Sequence, residues 1–206
     1  MPSVSSEWSD SGRVAEYLSR EIPHRDVAEE MLLSALPEHV ARFVDLGTGD
    51  GRLLSLVRGR YSDAKGVGLD SSAPMLDRAR ERFDGDPHIE LREHDLRKRL
   101  PEVGVSDAFV SGLAIHHLED ERKQELFGEI HALLAPGGAF ANLDLVRSAS
   151  SRLHERFRQE IGRVQDDPTD RLAELGEQMG WLREAGFSEV DCHFKWLELT
   201  LIVAVK

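Results

Sequence analysis

Residues 43–51 read Phe43-Val44-Asp45-Leu46-Gly47-Thr48-Gly49-Asp50-Gly51. Phe43, Val44 and Leu46 make a short apolar run suited to a strand buried on both faces, and three alternate glycines follow it. Glycine takes positive φ without a Cβ penalty and lets a ligand approach the backbone, so the strand is expected to end in a ligand-accessible loop. Arg52 to Tyr61 then carries Leu54, Val57 and Tyr61 at helical spacing, which sets the loop's unpaired N–H groups at a helix N-terminus. A second apolar run, Gly66-Val67-Gly68-Leu69, ends in Asp70, about 20 positions beyond the glycines. An acid at that spacing in a βαβ unit accepts from ribose hydroxyls; on spacing alone, Asp70 is equally a helix cap or a solvated loop acid.

Charge narrows the choice of ligand. A pyrophosphate on this loop would face Asp45 and Asp50, and Arg52 stands where G-x-G-x-x-G has its third glycine. S-adenosylmethionine has no phosphate, and acids attract its sulfonium and ammonium groups. Both points favour it over a dinucleotide.

The ordered series VDLGTGDG, GLDSS, HDL at Asp95, SGLAIHHL and LLAPGG resembles the class I S-adenosylmethionine-dependent methyltransferases, small-molecule type, over residues ~40–206. The resemblance implies that Asp45 and the loop Gly47, Thr48, Gly49, Asp50, Gly51 lie by the methionyl part of S-adenosylmethionine. It implies Asp70 on the ribose with Ser71 beside it, Asp95 and Leu96 flanking the adenine, and Ser111 by the methionyl group. The terminal WLREAGF and FKWLELTLIVAVK resemble the end of the same family, close to its small-molecule and tRNA-uridine-modifying branches.

The chain has 206 residues, fitting a single domain, with 26 basic and 38 acidic residues and a formal charge of −12. That balance, with Arg97-Lys98-Arg99 as the longest basic run, argues against a nucleic-acid partner; a small-molecule substrate is what the resemblance implies. No apolar run approaches the ~18 residues of a membrane span, and the N-terminus is not a signal peptide, so no membrane association and a cytoplasmic location are expected. Cys192 is the single cysteine, so no intramolecular disulfide is expected; it alternates with Val190 and Phe194 as a small hydrophobe on the inner face of a strand.

Periodicity gives an α/β chain: a Rossmann-like, mostly parallel seven-stranded sheet with helices on both faces and a C-terminal antiparallel hairpin. Residues 1–40 are read as an N-terminal helical cap. Within it, residues 1–10 are expected to be loosely attached, a helix spans Arg13 to Ile22, and a second spans Val27 to Leu36 with Val27, Met31 and Ala35 inward. Tyr17, His24 and Arg25 are the candidates for covering the cofactor. Ser72 with Pro74 starts a helix, Ile89 and Leu91 sit in a polar-flanked edge strand, and Pro136-Gly137-Gly138 leads into a strand at Ala139 to Leu145. Residues 147–180 depart from strict alternation and are read as an inserted helical segment forming part of the substrate chamber, with a peripheral helix or a dimer contact as the alternative. Val190 to Phe194 and Leu199 to Val205 are too close for a crossover helix and should pair as a hairpin.

Methyl transfer from a sulfonium is an in-line displacement, so alignment in a dry pocket supplies much of the catalysis and a base is optional. His116 and His117 follow the fourth strand and are the candidate bases. Adjacent residues of an extended segment face opposite sides, and His116 is expected to face the cavity. His116, His117, Glu119 and Asp120 cluster in sequence, yet chain neighbours rarely converge on one ion without distant ligands, so no metal is expected. The competing readings are a methyltransferase acting on a modified tRNA nucleotide, an NAD-type oxidoreductase, and a non-catalytic nucleotide-binding protein. A homodimer is compatible with any of them.

Overall fold

The computed structural model describes Gly12 and residues 21–206. The expected helix over 13–22 lies, apart from its last two residues, outside that range, as do Tyr17 and residues 1–10. The described elements run α1 (Arg25–Ala35), β1 (Arg42–Leu46), α2 (Arg52–Arg60), β2 (Lys65–Asp70), α3 (Ala73–Arg82), β3 (Ile89–Glu93), β4 (Ser106–Gly112), a 3₁₀ turn (Ile115–His117), α4 (Asp120–Leu133), β5 (Leu134–Leu145), α5 (Ser151–Glu160), α6 (Leu175–Glu184), β6 (Glu189–Trp196) and β7 (Leu199–Val205).

They build one seven-stranded sheet in the order β3-β2-β1-β4-β5-β7-β6. β1 pairs in parallel with β2 and β4, β2 with β3 and β4 with β5, while β7 runs antiparallel to β5 and to β6. β1 is central because Phe43, Val44 and Leu46 are fully buried, and the polar-flanked β3 is the edge its composition predicts. The hairpin turns through Leu197 and Glu198, where Leu197 takes φ 50. Two apolar layers flank the sheet. One gathers Ala28 and Leu32 of α1, Leu54 and Val57 of α2, and Phe157 of α5; the other gathers Leu126, Phe127 and Ile130 of α4 with Leu182 of α6. No helix among the described residues is long and apolar enough to cross a membrane.

The inward face of α1 differs from expectation. Val27 is 45% exposed, and the buried stripe is Ala28, Leu32 and Leu36, one position on. Both stripes have four-residue spacing, and the smaller Ala28 lets the helix pack closely against β5 and β7. α3 begins as its sequence indicates: Ser72 is the N-cap, its hydroxyl accepting from Met75 N at 3.4 Å, with Pro74 in the first turn.

Candidate active site

The chain leaves β1 toward β2 and β3 on one side and returns through β4 and β5 on the other, so the β1/β4 boundary is a switch point where a crevice opens at the strands' carboxyl ends. A cavity of about 750 Å³ lies there. Its wall takes Asp45, Gly47 and Gly49 from the end of β1, Asp70 and Ser71 from β2, His94 to Arg97 from beyond β3, and Gly112 to Ala114 from β4. Glu21 to Asp26, before β1, also line the cavity, His24 and Arg25 among them. α1 is held in place by Glu29, whose buried carboxylate accepts from Arg25 Nε at 2.8 Å and from Arg52 Nη2 at 2.7 Å.

The loop geometry follows from its glycines. Gly47 has φ +71, and a Cβ there would lie 2.2 Å from Ala114 Cβ, so β1 and the turn after β4 meet only because that side chain is absent. Gly51, at φ 81, is the N-cap of α2. Gly47 and Thr48 donate their N–H groups to Leu69 O, and Gly49 N donates to Asp70 Oδ2 at 2.8 Å, so β2 fixes the loop. Asp70 Oδ1 accepts from Ser72 N at 2.8 Å. Asp70 therefore braces the turn into α3 and also lines the cavity. Burial raises its pKa against the lowering by these N–H donors.

Asp45 is completely buried on the cavity wall. Its Oδ2 accepts from Thr48 Oγ1 at 2.7 Å, while Oδ1 has no hydrogen-bond partner among the described residues. Burial raises its carboxyl to about 7, the Thr48 hydroxyl pulling the other way and the Asp70 charge adding to the rise. Asp50 pairs with Arg82 at 2.6 Å, and Asp95 with Arg97 at 2.7 Å, which holds the Asp95 carboxyl below its ordinary value. Leu96 supplies an apolar wall.

Four sequence expectations change. Ser111 does not line the cavity: its buried hydroxyl donates to Leu46 O at 2.8 Å, tying β4 to β1, and Gly112, Leu113 and Ala114 take the wall position. Gly51 likewise stays behind the wall as a helix cap. The histidines are reversed, His117 lining the cavity and His116 buried behind it, because the segment is a 3₁₀ turn and not an extended strand. His116 is captured by Asp144 of β5, which accepts from His116 N at 2.8 Å and faces its Nδ1 at 2.5 Å. Burial opposes charge on that ring, yet the Asp144 and Asp170 carboxylates outweigh it and its pKa is raised. Residues 147–180 supply nothing to the cavity wall; they reach the histidines from behind, Arg171 N donating to His116 O at 2.8 Å. Ser72, Met75, His94 and Leu113 join the wall without having been singled out. His94 and Leu113 lie inside the quoted HDL and SGLAIHHL stretches, so membership of those motifs was the available signal.

Residues 43–138 match a family model described as a methyltransferase domain. Trans-aconitate 2-methyltransferase of Variovorax paradoxus is 34% identical over 114 residues, covering 55% of this chain and 42% of that protein. The chain spans about half the length of such relatives. An S-adenosylmethionine-dependent methyltransferase from Mesorhizobium loti superposes with a TM-score of 0.64 at 26% identity, covering 87% of this chain and 98% of that one. An O-methyltransferase family protein from Burkholderia thailandensis gives 0.74 at 21% identity over 98% of this chain and 62% of that one, a likeness of fold. With its glycine loop, acid-bearing strand ends and sheet order, the chain is similar to the class I S-adenosylmethionine-dependent methyltransferases, the family-model match lying over residues 43–138.

Proposed function

We propose that this chain binds S-adenosylmethionine in the cavity at the β1/β4 boundary and transfers its methyl group to a small-molecule acceptor. The observation that carries this reading is Asp45, a fully buried carboxyl on the wall with one oxygen unpartnered. A buried carboxylate is costly unless a cation or donor meets it, so the wall suits a positively charged ligand and repels a pyrophosphate. Six acids and three arginines line the cavity, and Arg25, Arg52 and Arg97 each already face an acid.

Asp45 and the Gly47–Asp50 part of the loop would hold the methionyl end, Asp70 the ribose through its remaining lone pairs, and Leu96 beside Asp95 the adenine. The bound cofactor supplies an electrophilic methyl group on a sulfonium. The protein's part is alignment and exclusion of water: the 21–26 cover, pinned through Glu29, closes the crevice, and such positioning contributes ~7 kcal/mol or more. A cavity of about 750 Å³ falls in the range of small-molecule sites. The relative named for trans-aconitate supports a small metabolite as acceptor.

Calorimetry with S-adenosylmethionine, its demethylated product and NAD tests the binding step. The first two are expected to compete for one site. Binding of NAD alone would reverse the assignment. Mass spectrometry for an acceptor carrying an isotopically labelled methyl group, after incubation with metabolite pools, tests transfer.

A further inference from the structure

We propose that His116, His117 and Asp170 form a binding site for one divalent transition-metal ion, zinc being the best match, behind the cavity wall. One ligand atom of each residue lies within 4.8 Å of the others, and all three side chains are largely buried. His116 Nε2 is 3.5 Å and His117 Nδ1 3.7 Å from the same oxygen, Asp170 Oδ1. Ligands ~2.1 Å from a tetrahedral ion sit about 3.4 Å apart, so these separations leave the room that an ion needs.

The hydrogen bonds on the far side orient the donors. Asp144 accepts backbone N–H groups from His116 at 2.8 Å and from Leu145 at 2.9 Å, so it serves as an acceptor and His116 Nδ1 carries the proton shared with it. Nε2 points at Asp170 Oδ1, a buried oxygen with no hydrogen-bond partner among the described residues, and a metal ion would take the place of any proton on that nitrogen. Two acceptors face each other across 3.5 Å. A proton between them would draw a charge-assisted bond to about 2.7–2.9 Å, whereas an ion occupies the longer gap. A carboxylate behind a ligating imidazole is the arrangement that raises its basicity toward a metal. Arg163 Nη1 holds the other Asp170 oxygen at 3.1 Å, fixing the carboxylate's direction. Arg163 pairs with Asp167 and Asp170, and Asp144 adds a third carboxylate on the far side of His116, so the surroundings remain anionic.

His117 Nδ1 also lies 3.1 Å from Thr169 Oγ1, a contact that a ring rotation exchanges for the metal. Glu119 and Asp120, which cluster with the histidines in sequence, are turned away to Arg171 and Lys123. The distant ligand that chain neighbours require is Asp170, delivered by the 147–180 segment. Imidazole and carboxylate donors suit zinc, and three protein ligands leave a fourth position for water or another donor. The ion would fasten the 166–171 loop to the turn that carries His117 into the cavity wall.

The full chain, stripped with chelator and dialysed, is titrated with cobalt(II) by visible absorption and then with zinc(II) in competition, without cofactor or acceptor. One ion per chain with tetrahedral cobalt bands is expected, with affinity lowered at least tenfold in Asp170→Asn and in His117→Gln. Near-ultraviolet circular dichroism confirms that each variant is folded. Failure of the wild-type chain to bind cobalt or zinc stoichiometrically would overturn the proposal, as would undiminished affinity in both variants, which would place the ion at other histidines.

Discussion

Asp45 makes binding depend on pH in a direction fixed by its environment. Its carboxyl is raised from 3.8 to about 7, so the folded chain retains a proton there that the unfolded chain has released. Protonated Asp45 thus costs nothing below the unfolded value, and the residue erodes stability as pH rises through the interval up to about 7. A cationic ligand favours the ionised form. Affinity for S-adenosylmethionine is therefore expected to rise as pH passes upward through about 7, and Asp45→Asn should bind more weakly and lose that dependence. Calorimetry across this interval checks both, and a flat wild-type profile would remove Asp45 from the cation's surroundings. At Asp70, replacement by alanine removes a charge-assisted contact worth ~1.5–3 kcal/mol, so the cofactor should weaken roughly 10- to 150-fold. Asp70→Asn should lose less, because an amide oxygen still accepts from Gly49 N or Ser72 N and keeps the loop in place. Equal losses would mean that the carboxylate's contact with the ribose, and not the loop brace, sets the affinity.

Among the elements, α5 shows where an inserted segment becomes core. Phe157 is 2% exposed and joins the apolar layer that holds α1 and α2, with Trp196 at a ring distance of 6.0 Å. Phe157→Ala should cost ~3–5 kcal/mol, read as a lower urea midpoint at unchanged slope. Deleting Ser151 to Asp167 should therefore impair folding, since it removes Phe157 together with His154, which shares buried Glu198 with Ser148. A deletion variant that melts like the full chain would show the segment to be peripheral. The sheet was legible because its signals are local: apolar runs such as Phe43 to Leu46, glycines at turns, and a final pair of strands too close for a crossover. The glycine loop and Asp70 were legible for the same reason. What escaped depended on distance in sequence. The face of α1 is set by β5 and β7, the histidine orientation by Asp144, and the wall at Gly47 by Ala114, none of which periodicity reports. Ser111 carried the right residue type but spends its hydroxyl on a neighbouring strand.

For the whole molecule, a net charge of −12 bears on the acceptor's size and charge. Non-specific nucleic-acid binding rests on lysines and arginines that displace counterions from phosphates, giving dissociation constants of about 10⁻⁴–10⁻⁶ M at physiological salt. The basic run Arg97-Lys98-Arg99 is the natural place to look, and there Arg97 is already paired with Asp95 through Nε and Nη2. Lys98 and Arg99 remain exposed beside a cavity wall that is richer in acids than in arginines. With a Debye length of about 8 Å at physiological ionic strength, two such cations do not offset the surrounding acids over the span of a folded RNA. Bulk tRNA is thus expected to give no mobility-shifted complex with this chain at ~10 µM protein and ~0.15 M salt, with or without S-adenosylmethionine. A stoichiometric complex whose affinity falls steeply with salt would show a local phosphate-binding surface and move the acceptor from a small metabolite to a tRNA nucleotide.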